Sequence, residues 1–154
     1  LLSWGELVAG LTAGEGPRIK VLLPPGQLNE WGKGFGGFEE SRVQVLPPMA
    51  LPAVKELLAS AQGLISVDGG VMHMGVALSV PTLALFGPTD PAIWFPYEKM
   101  GPYRVLMHKP HCHPCDRHEC GEFICLPELK PAEVQAAATD LFGQATTTTA
   151  EVSP

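Results

Sequence analysis

The run Leu64-Ile65-Ser66-Val67-Asp68-Gly69-Gly70-Val71-Met72-His73-Met74-Gly75-Val76-Ala77-Leu78 decides how this chain is read. A short apolar strand runs into an acidic residue and two glycines, and a helix from about Val71 to Leu78 follows at once. The glycines let the backbone turn sharply and approach a ligand closely. A helix that starts there presents free N–H groups and the positive end of its dipole, which together favour an anion. A diphosphate suits that position without a metal, and His73 in the first turn can add a hydrogen bond or a charge. The competing reading is structural: Asp68 caps the helix and His73 is satisfied in the core. Taken alone, the motif favours the structural reading, because strand–glycine–helix joints are common in α/β proteins.

Outward from this joint the alternation of helix and strand repeats. Towards the N-terminus lie a helix over about 3–13 with Ser3 as its N-cap, a strand from Ile19 to Leu23 stopped by Pro24-Pro25-Gly26, a short helix within 27–40, a strand Val43 to Leu46, and an amphipathic helix from Leu51 to Gln62. Leu51, Val54, Leu57 and Leu58 share one face of that last helix. Towards the C-terminus lie a strand Pro81 to Phe86, a helical turn from Pro91, a strand Tyr103 to Met107, a cysteine-rich loop over 110–126, and a helix Pro131 to Phe142 with Pro at its first position. Nearly all-apolar strands between helices belong to a parallel sheet covered on both faces. The expected fold is α/β, a Rossmann-like doubly wound parallel sheet, over 1–143. The stretch 144–154, with four consecutive threonines and no apolar period, is expected to be a disordered tail.

Composition sets the outer limits. At 154 residues the chain fits one domain, and 45% hydrophobic residues suffice for a core. Only 17% are charged, which suggests that part of the surface is covered by another domain. A formal net charge of −6 makes the chain a poor binder of nucleic acid backbones. No apolar stretch reaches the roughly 20 residues of a membrane span. The chain opens Leu1-Leu2-Ser3-Trp4, without Met or a basic leader, and reads as part of a longer protein with its catalytic groups expected upstream.

Ligands of open parallel sheets bind beyond the carboxyl ends of the strands. That rule selects the loops Pro24 to Glu30, Asp68 to His73 and Gly87 to Asp90. Thr89 or Asp90 can cap the helix starting at Pro91, and Thr89 can also reach a phosphate. Glu30 can accept hydrogen bonds from ribose hydroxyls, with a solvated surface glutamate as the alternative. Trp31 can flank an adenine. Trp94, Phe95 and Tyr97 are expected to fill core rather than meet a partner domain.

Together these residues resemble glycosyltransferase family 9, the lipopolysaccharide heptosyltransferases. The family pattern is D-[ST]-G-x-x-H-x-x-x-A-L, then P, then [FY]-G-P-T-x-P. It matches Asp68 to Leu78, Pro81, and Phe86 to Pro91. A P-x-G-x-x-x-E turn at Pro24 to Glu30 and a V-x-V-L-P-x-M segment at Val43 to Met49 resemble the heptosyltransferase I branch. The resemblance covers about residues 1–143. It implies the C-terminal half of a two-domain GT-B enzyme that transfers heptose from ADP-heptose to the lipopolysaccharide inner core with inversion and needs no metal cofactor for catalysis. The N-terminal half would hold the acceptor, the catalytic base and a phosphate-contacting lysine. In this half Asp68 would hold sugar hydroxyls. Gly69, Gly70, Val71 and His73 would surround the diphosphate, Thr89 would lie near the phosphates, and Glu30 would take the ribose. The enzyme would be cytoplasmic or peripheral at the inner membrane. Gly69 departs from the family's Ser or Thr, so a hydroxyl donor is missing while the backbone N–H remains. A GT-B transferase using another nucleotide sugar, and a non-catalytic nucleotide-binding module, are the alternatives.

Cys112, Cys115, Cys120 and Cys125 form C-x-x-C-x4-C-x4-C, interleaved with His111, His113 and His118. Four thiolates so close can ligate a structural zinc ion. The spacing is tighter than in zinc ribbons, which favours free or partly paired thiols. No Cys/His pair is evidently placed beside the expected cleft.

Overall fold

The computed structural model describes residues 3–24, 26–27, 32–117 and 119–148. In chain order the elements are α1 (Trp4–Leu11), β1 (Ile19–Leu22), a 3-10 turn (Gly32–Phe35), β2 (Val43–Leu46), α2 (Leu51–Ala59), β3 (Leu64–Val67), α3 (Gly70–Ala77), β4 (Thr82–Phe86), α4 (Pro91–Trp94), β5 (Tyr103–Met107) and α5 (Pro131–Thr148). Every strand pairing is parallel. The α/β class read from the alternation is therefore the observed one. The pairing differs from a single sheet: β1 pairs with β2 in one ladder, and β3-β4-β5 form a second.

β4 organises the three-stranded sheet. It lies between β3 and β5, and all five of its residues are buried. Successive side chains of a strand point to opposite faces, so β4 feeds two cores. Leu83 and Leu85 pack with Leu7 of α1, Leu129, and Val134, Ala138 and Leu141 of α5. Ala84 and Phe86 pack with Met72 of α3 and with Phe95. Helices thus cover both faces, which is why the strand has no polar face. Thr82, its polar residue, is buried and donates its hydroxyl hydrogen to the Val80 carbonyl at 2.8 Å. β3, β5 and the β1–β2 ladder are covered less completely.

Local chemistry fixes the joints. Ser3 caps α1, its hydroxyl accepting from the Glu6 amide at 3.4 Å. The turn after β1 closes through the Gln27 amide to the Pro24 carbonyl at 3.1 Å, with Gly26 at φ 84°, a left-handed value glycine takes at little cost. The Arg42 guanidinium donates to the carbonyls of Thr12, Gly14 and Gly16, tying the α1–β1 loop to the start of β2. Gly75 lets α3 approach the sheet: a Cβ there would stand 2.5 Å from Leu64 Cδ2 and 2.9 Å from Thr82 Oγ1.

Three expectations change. α5 extends to Thr148, past Gln144 where a disordered tail was expected. Once a helix is nucleated, each further residue adds a hydrogen bond without new nucleation cost, so an apolar period is not needed to extend it. Leu51, assigned to the apolar face of α2, is 69% exposed, while Val54 and Leu58 are buried. As the first residue of its helix, Leu51 projects beyond the packed surface. Trp94, expected in the core, is 49% exposed, whereas Phe95 next to it is 2% exposed. Neighbouring residues of a one-turn helix point in different directions, and Phe95 takes the inward one.

Leu83→Ala is expected to lower stability by about 3 kcal/mol through lost burial and a cavity at the centre of the sheet. Ile93→Ala, at a 67% exposed site, is expected to change it by less than about 0.5 kcal/mol. Urea denaturation of the two variants beside the parent chain checks both values.

Candidate functional site

Because β3, β4 and β5 are parallel neighbours, their carboxyl ends share one edge. Three loops leave that edge: Asp68–Gly69, Gly87–Asp90, and the long segment from His108 that contains the cysteines. Sequence reasoning selected the first two. The Pro24 to Glu30 loop follows β1 in the other ladder, and Glu30 and Trp31 lie outside the described residues.

Asp68 continues β3, its amide donating to the Leu85 carbonyl at 3.1 Å. Its carboxylate does not cap α3: the N-cap of that helix is Gly69, and no side chain caps it. Instead Asp68 Oδ2 accepts the Thr89 hydroxyl hydrogen at 2.6 Å. This contact ties the ends of adjacent strands together, and the structural reading of Asp68 as a helix cap does not hold. Thr89 does not cap α4 either. Asp90 performs that role, accepting from the Ala92 amide at 2.9 Å.

Gly69 and Gly70 are exposed, and Asp68, Val71 and His73 are half-buried. The first N–H groups of a helix lack intrahelical carbonyl partners, and α3 presents its own at this open joint without a side-chain cap. The Gly69 backbone stands at φ 158°, ψ −179°, a conformation that residues with a side chain rarely adopt, although a Cβ there would meet nothing within 4 Å. His73 is not simply buried in the core. The Tyr97 hydroxyl lies 3.5 Å from its Nδ1, and the two rings meet edge-on with centroids 6.0 Å apart. Tyr97, read as core filling, does pack against the cluster of Phe86 and Phe95, and its half-buried side chain also brings its hydroxyl beside the imidazole.

The cysteine segment was not placed near this edge, yet it docks on it. The amides of Cys115 and Asp116 both donate to the Pro88 carbonyl, at 3.0 and 3.1 Å. His113 Nε2 donates to the Thr89 carbonyl at 3.2 Å, since a carbonyl can only accept. Cys125 is buried with its sulfur beside Gly87: a Cβ on that glycine would lie 3.6 Å from Sγ. The signal available in the sequence was position alone, since a loop after a strand parallel to β4 must leave from the same edge. The Cys112 thiol is held above the ordinary thiol range, first by loss of solvent and then by the charge of Cys115. Among the described residues, no group of three or more Cys, His, Asp or Glu side chains forms a ready-made metal site.

The chemistry of this edge is that of an anion site beside an acceptor of hydroxyls. The amides at Gly69 and Gly70 and the dipole of α3 attract negative charge. The Asp68 carboxylate would repel a phosphate, but it can accept from sugar hydroxyls while Thr89 holds it in place. In parallel α/β domains as a class, ligands bind at strand–helix joints of this kind, beyond the carboxyl ends of the strands.

Comparison with known proteins narrows that class. The family model described as glycosyltransferase family 9 (heptosyltransferase) matches residues 6–123, and the chain belongs to this family. Lipopolysaccharide heptosyltransferase 1 of Escherichia coli K12 is 40% identical over 97 residues, which cover 62% of this chain and 30% of that protein. A solved structure of the Escherichia coli heptosyltransferase WaaC with ADP superposes with a TM-score of 0.69 at 30% identity, over 90% of this chain and 38% of that one. The same enzyme with ADP-2-deoxy-2-fluoro heptose gives 0.66 at 31% identity, over 90% and 37%. The chain thus spans about a third of the length of the relatives it matches.

Thr89→Val, which removes the hydroxyl hydrogen given to Asp68, is expected to lower stability by about 1–2 kcal/mol. Thr89→Ser is expected to retain most of the parent stability. Chemical denaturation distinguishes the two, and a loss in Thr89→Ser with none in Thr89→Val would assign the effect to the methyl group instead.

Proposed function

We propose that this chain is the donor-binding, C-terminal half of a GT-B heptosyltransferase, which holds ADP-heptose while a second domain presents a lipopolysaccharide inner-core acceptor. The observation that carries the reading is the uncapped, exposed N-terminus of α3 beside the Asp68–Thr89 pair. Family membership and the ADP-bound and fluoro-heptose-bound relatives support it.

In this reading the diphosphate lies against the amides of Gly69, Gly70 and Val71, and His73 donates to a phosphate oxygen. With Tyr97 at Nδ1, the Nε2 side of His73 is left for the ligand. Asp68 holds hydroxyls of the sugar. Thr89 has given its hydroxyl hydrogen to Asp68, so it acts towards the ligand mainly by fixing that carboxylate. Glu30 takes the ribose. Transfer is inverting: an acceptor hydroxyl oxygen bonds to the anomeric carbon as the bond from that carbon to the phosphate oxygen breaks. ADP leaves with the electron pair, and the hydroxyl proton passes to a base in the other domain. The helix amides and dipole stabilise the charge that builds on the leaving phosphate, the task for which a preorganised, metal-free site serves. This half would bind nucleotide without catalysing transfer by itself. Among the described residues no helix is long and apolar enough to cross a membrane. In this reading, access to a lipid-linked acceptor would be peripheral, from the cytoplasmic side.

Calorimetric titration with ADP, UDP and GDP tests the reading. ADP is expected to bind most tightly, and His73→Ala to weaken it about tenfold, equivalent to about 1.4 kcal/mol for one hydrogen bond to a charged group. Gly69→Ser, although its Cβ would meet nothing within 4 Å, is strained by the φ of 158° and is expected to lower stability by about 1–3 kcal/mol in urea denaturation. No heat at millimolar ADP would overturn the assignment.

A further inference from the structure

We propose that His113 is a positioning residue that acts through Thr89 on the Asp68 carboxylate, and so sets how well the site takes the hydroxyls of a donor sugar. Thr89 stands between two planar peptide units, and the direction of its side chain follows from how those units are turned. Both are held from the segment after β5. The unit before Thr89 carries the Pro88 carbonyl, which accepts from the Cys115 and Asp116 amides at 3.0 and 3.1 Å. The unit after it carries the Thr89 carbonyl, which accepts from His113 Nε2 at 3.2 Å. With both units fixed, the Thr89 Cα–Cβ bond has one direction, and the hydroxyl reaches Asp68 Oδ2 at 2.6 Å. The hold on Pro88 is made by backbone amides, which only proline would remove. The hold on Thr89 is made by a side chain, and His113 is therefore where a substitution would release the arrangement.

The segment that carries His113 is anchored. At its far end Cys125 is buried, and Leu126 packs against the core that contains Leu83 and Leu85. A Cβ on Gly87 would stand 3.3 Å from Leu126 Cγ, so this end lies directly on the exit of β4. His113, Thr89 and Asp68 are all half-buried, where their hydrogen bonds meet less competition from water than on the open surface. Among the described residues Thr89 is the side-chain partner of the Asp68 carboxylate, whose other oxygen is left to accept from a ligand hydroxyl. The exposed amides at the start of α3 belong to a different part of the edge, which His113 does not touch. Its influence therefore falls on the sugar and spares the diphosphate. That consequence rests on the function proposed above; the hold of His113 on Thr89 does not.

Calorimetry with the full chain compares ADP with ADP-heptose. His113→Ala is expected to weaken ADP-heptose about three- to tenfold, the range of roughly one hydrogen bond, and to change ADP by less than about twofold. His113→Gln, whose side-chain amide can place an N–H near the position of Nε2, is expected to recover most of the loss. Because His113 acts through Thr89, the double variant His113→Ala with Thr89→Val is expected to lose no more than Thr89→Val alone. Without ligand, three-bond NMR couplings about the Thr89 Cα–Cβ bond are expected to show one rotamer in the parent and in His113→Gln, and an average of rotamers in His113→Ala. Equal losses for ADP and ADP-heptose in His113→Ala, no recovery in His113→Gln, or additive losses in the double variant would give His113 a general structural role and overturn the proposal. An unchanged Thr89 rotamer in His113→Ala overturns it without any nucleotide. If the parent binds neither ligand while the rotamer responds to His113 as expected, the hold on Thr89 stands, and the donor function fails together with the sugar role.

Discussion

Burial of β4 on both faces is the constraint from which the rest follows. A strand with no solvent face needs a hydrogen-bonded neighbour on each side and a helical layer above and below. Here β3 and β5 supply the edges, α1 and α5 one layer, and α3 with Phe95 the other. With its interior fully committed to packing, chemistry is left to the ends of the strands. The parallel arrangement then gathers the three carboxyl ends into one place. Gly87, where β4 surfaces, is itself buried and allows the cysteine segment to pack close to the strand end.

At that edge the molecule separates attraction from orientation. Exposed glycine amides at the start of α3 attract negative charge, and because they are backbone groups they need no side chain to be held in place. Orientation falls to side chains that restrain one another: Thr89 on Asp68, Tyr97 beside His73, His113 on the Thr89 carbonyl. The contacts run across β3, β4 and the segment after β5, so the site is a property of the sheet edge and not of any one motif.

Much of the fold was legible because local signals agreed. The strands Val43–Leu46, Leu64–Val67 and Tyr103–Met107 begin and end where their apolar runs do, and Ser3 and Asp90 cap the helices they precede. Elements whose limits depend on distant contacts were less legible. The C-terminal helix outruns its apolar period, and Trp94 and Phe95, adjacent and both aromatic, take opposite environments. Among the site residues, Asp68, Gly69, Gly70, Val71, His73 and Thr89 lie along the shared edge, in or beside the two loops selected for them. Tyr97 and His113 were missed as partners because aromatic and imidazole side chains fill cores and loops alike, and nothing in their spacing distinguishes the cases.

The amino-acid order alone determined the parallel α/β class, the glycine joint between β3 and α3, and family membership. Those are set by periodicity, turn chemistry and a contiguous motif, all of which act over a few residues. The tertiary structure alone decided that Asp68 is held by Thr89 instead of capping its own helix, that the strands pair in two ladders, and that the cysteine segment closes over the Pro88 carbonyl. Such contacts join residues far apart in the chain, and which of several available donors and acceptors meet is settled only when β4 is packed and the strand ends are brought side by side.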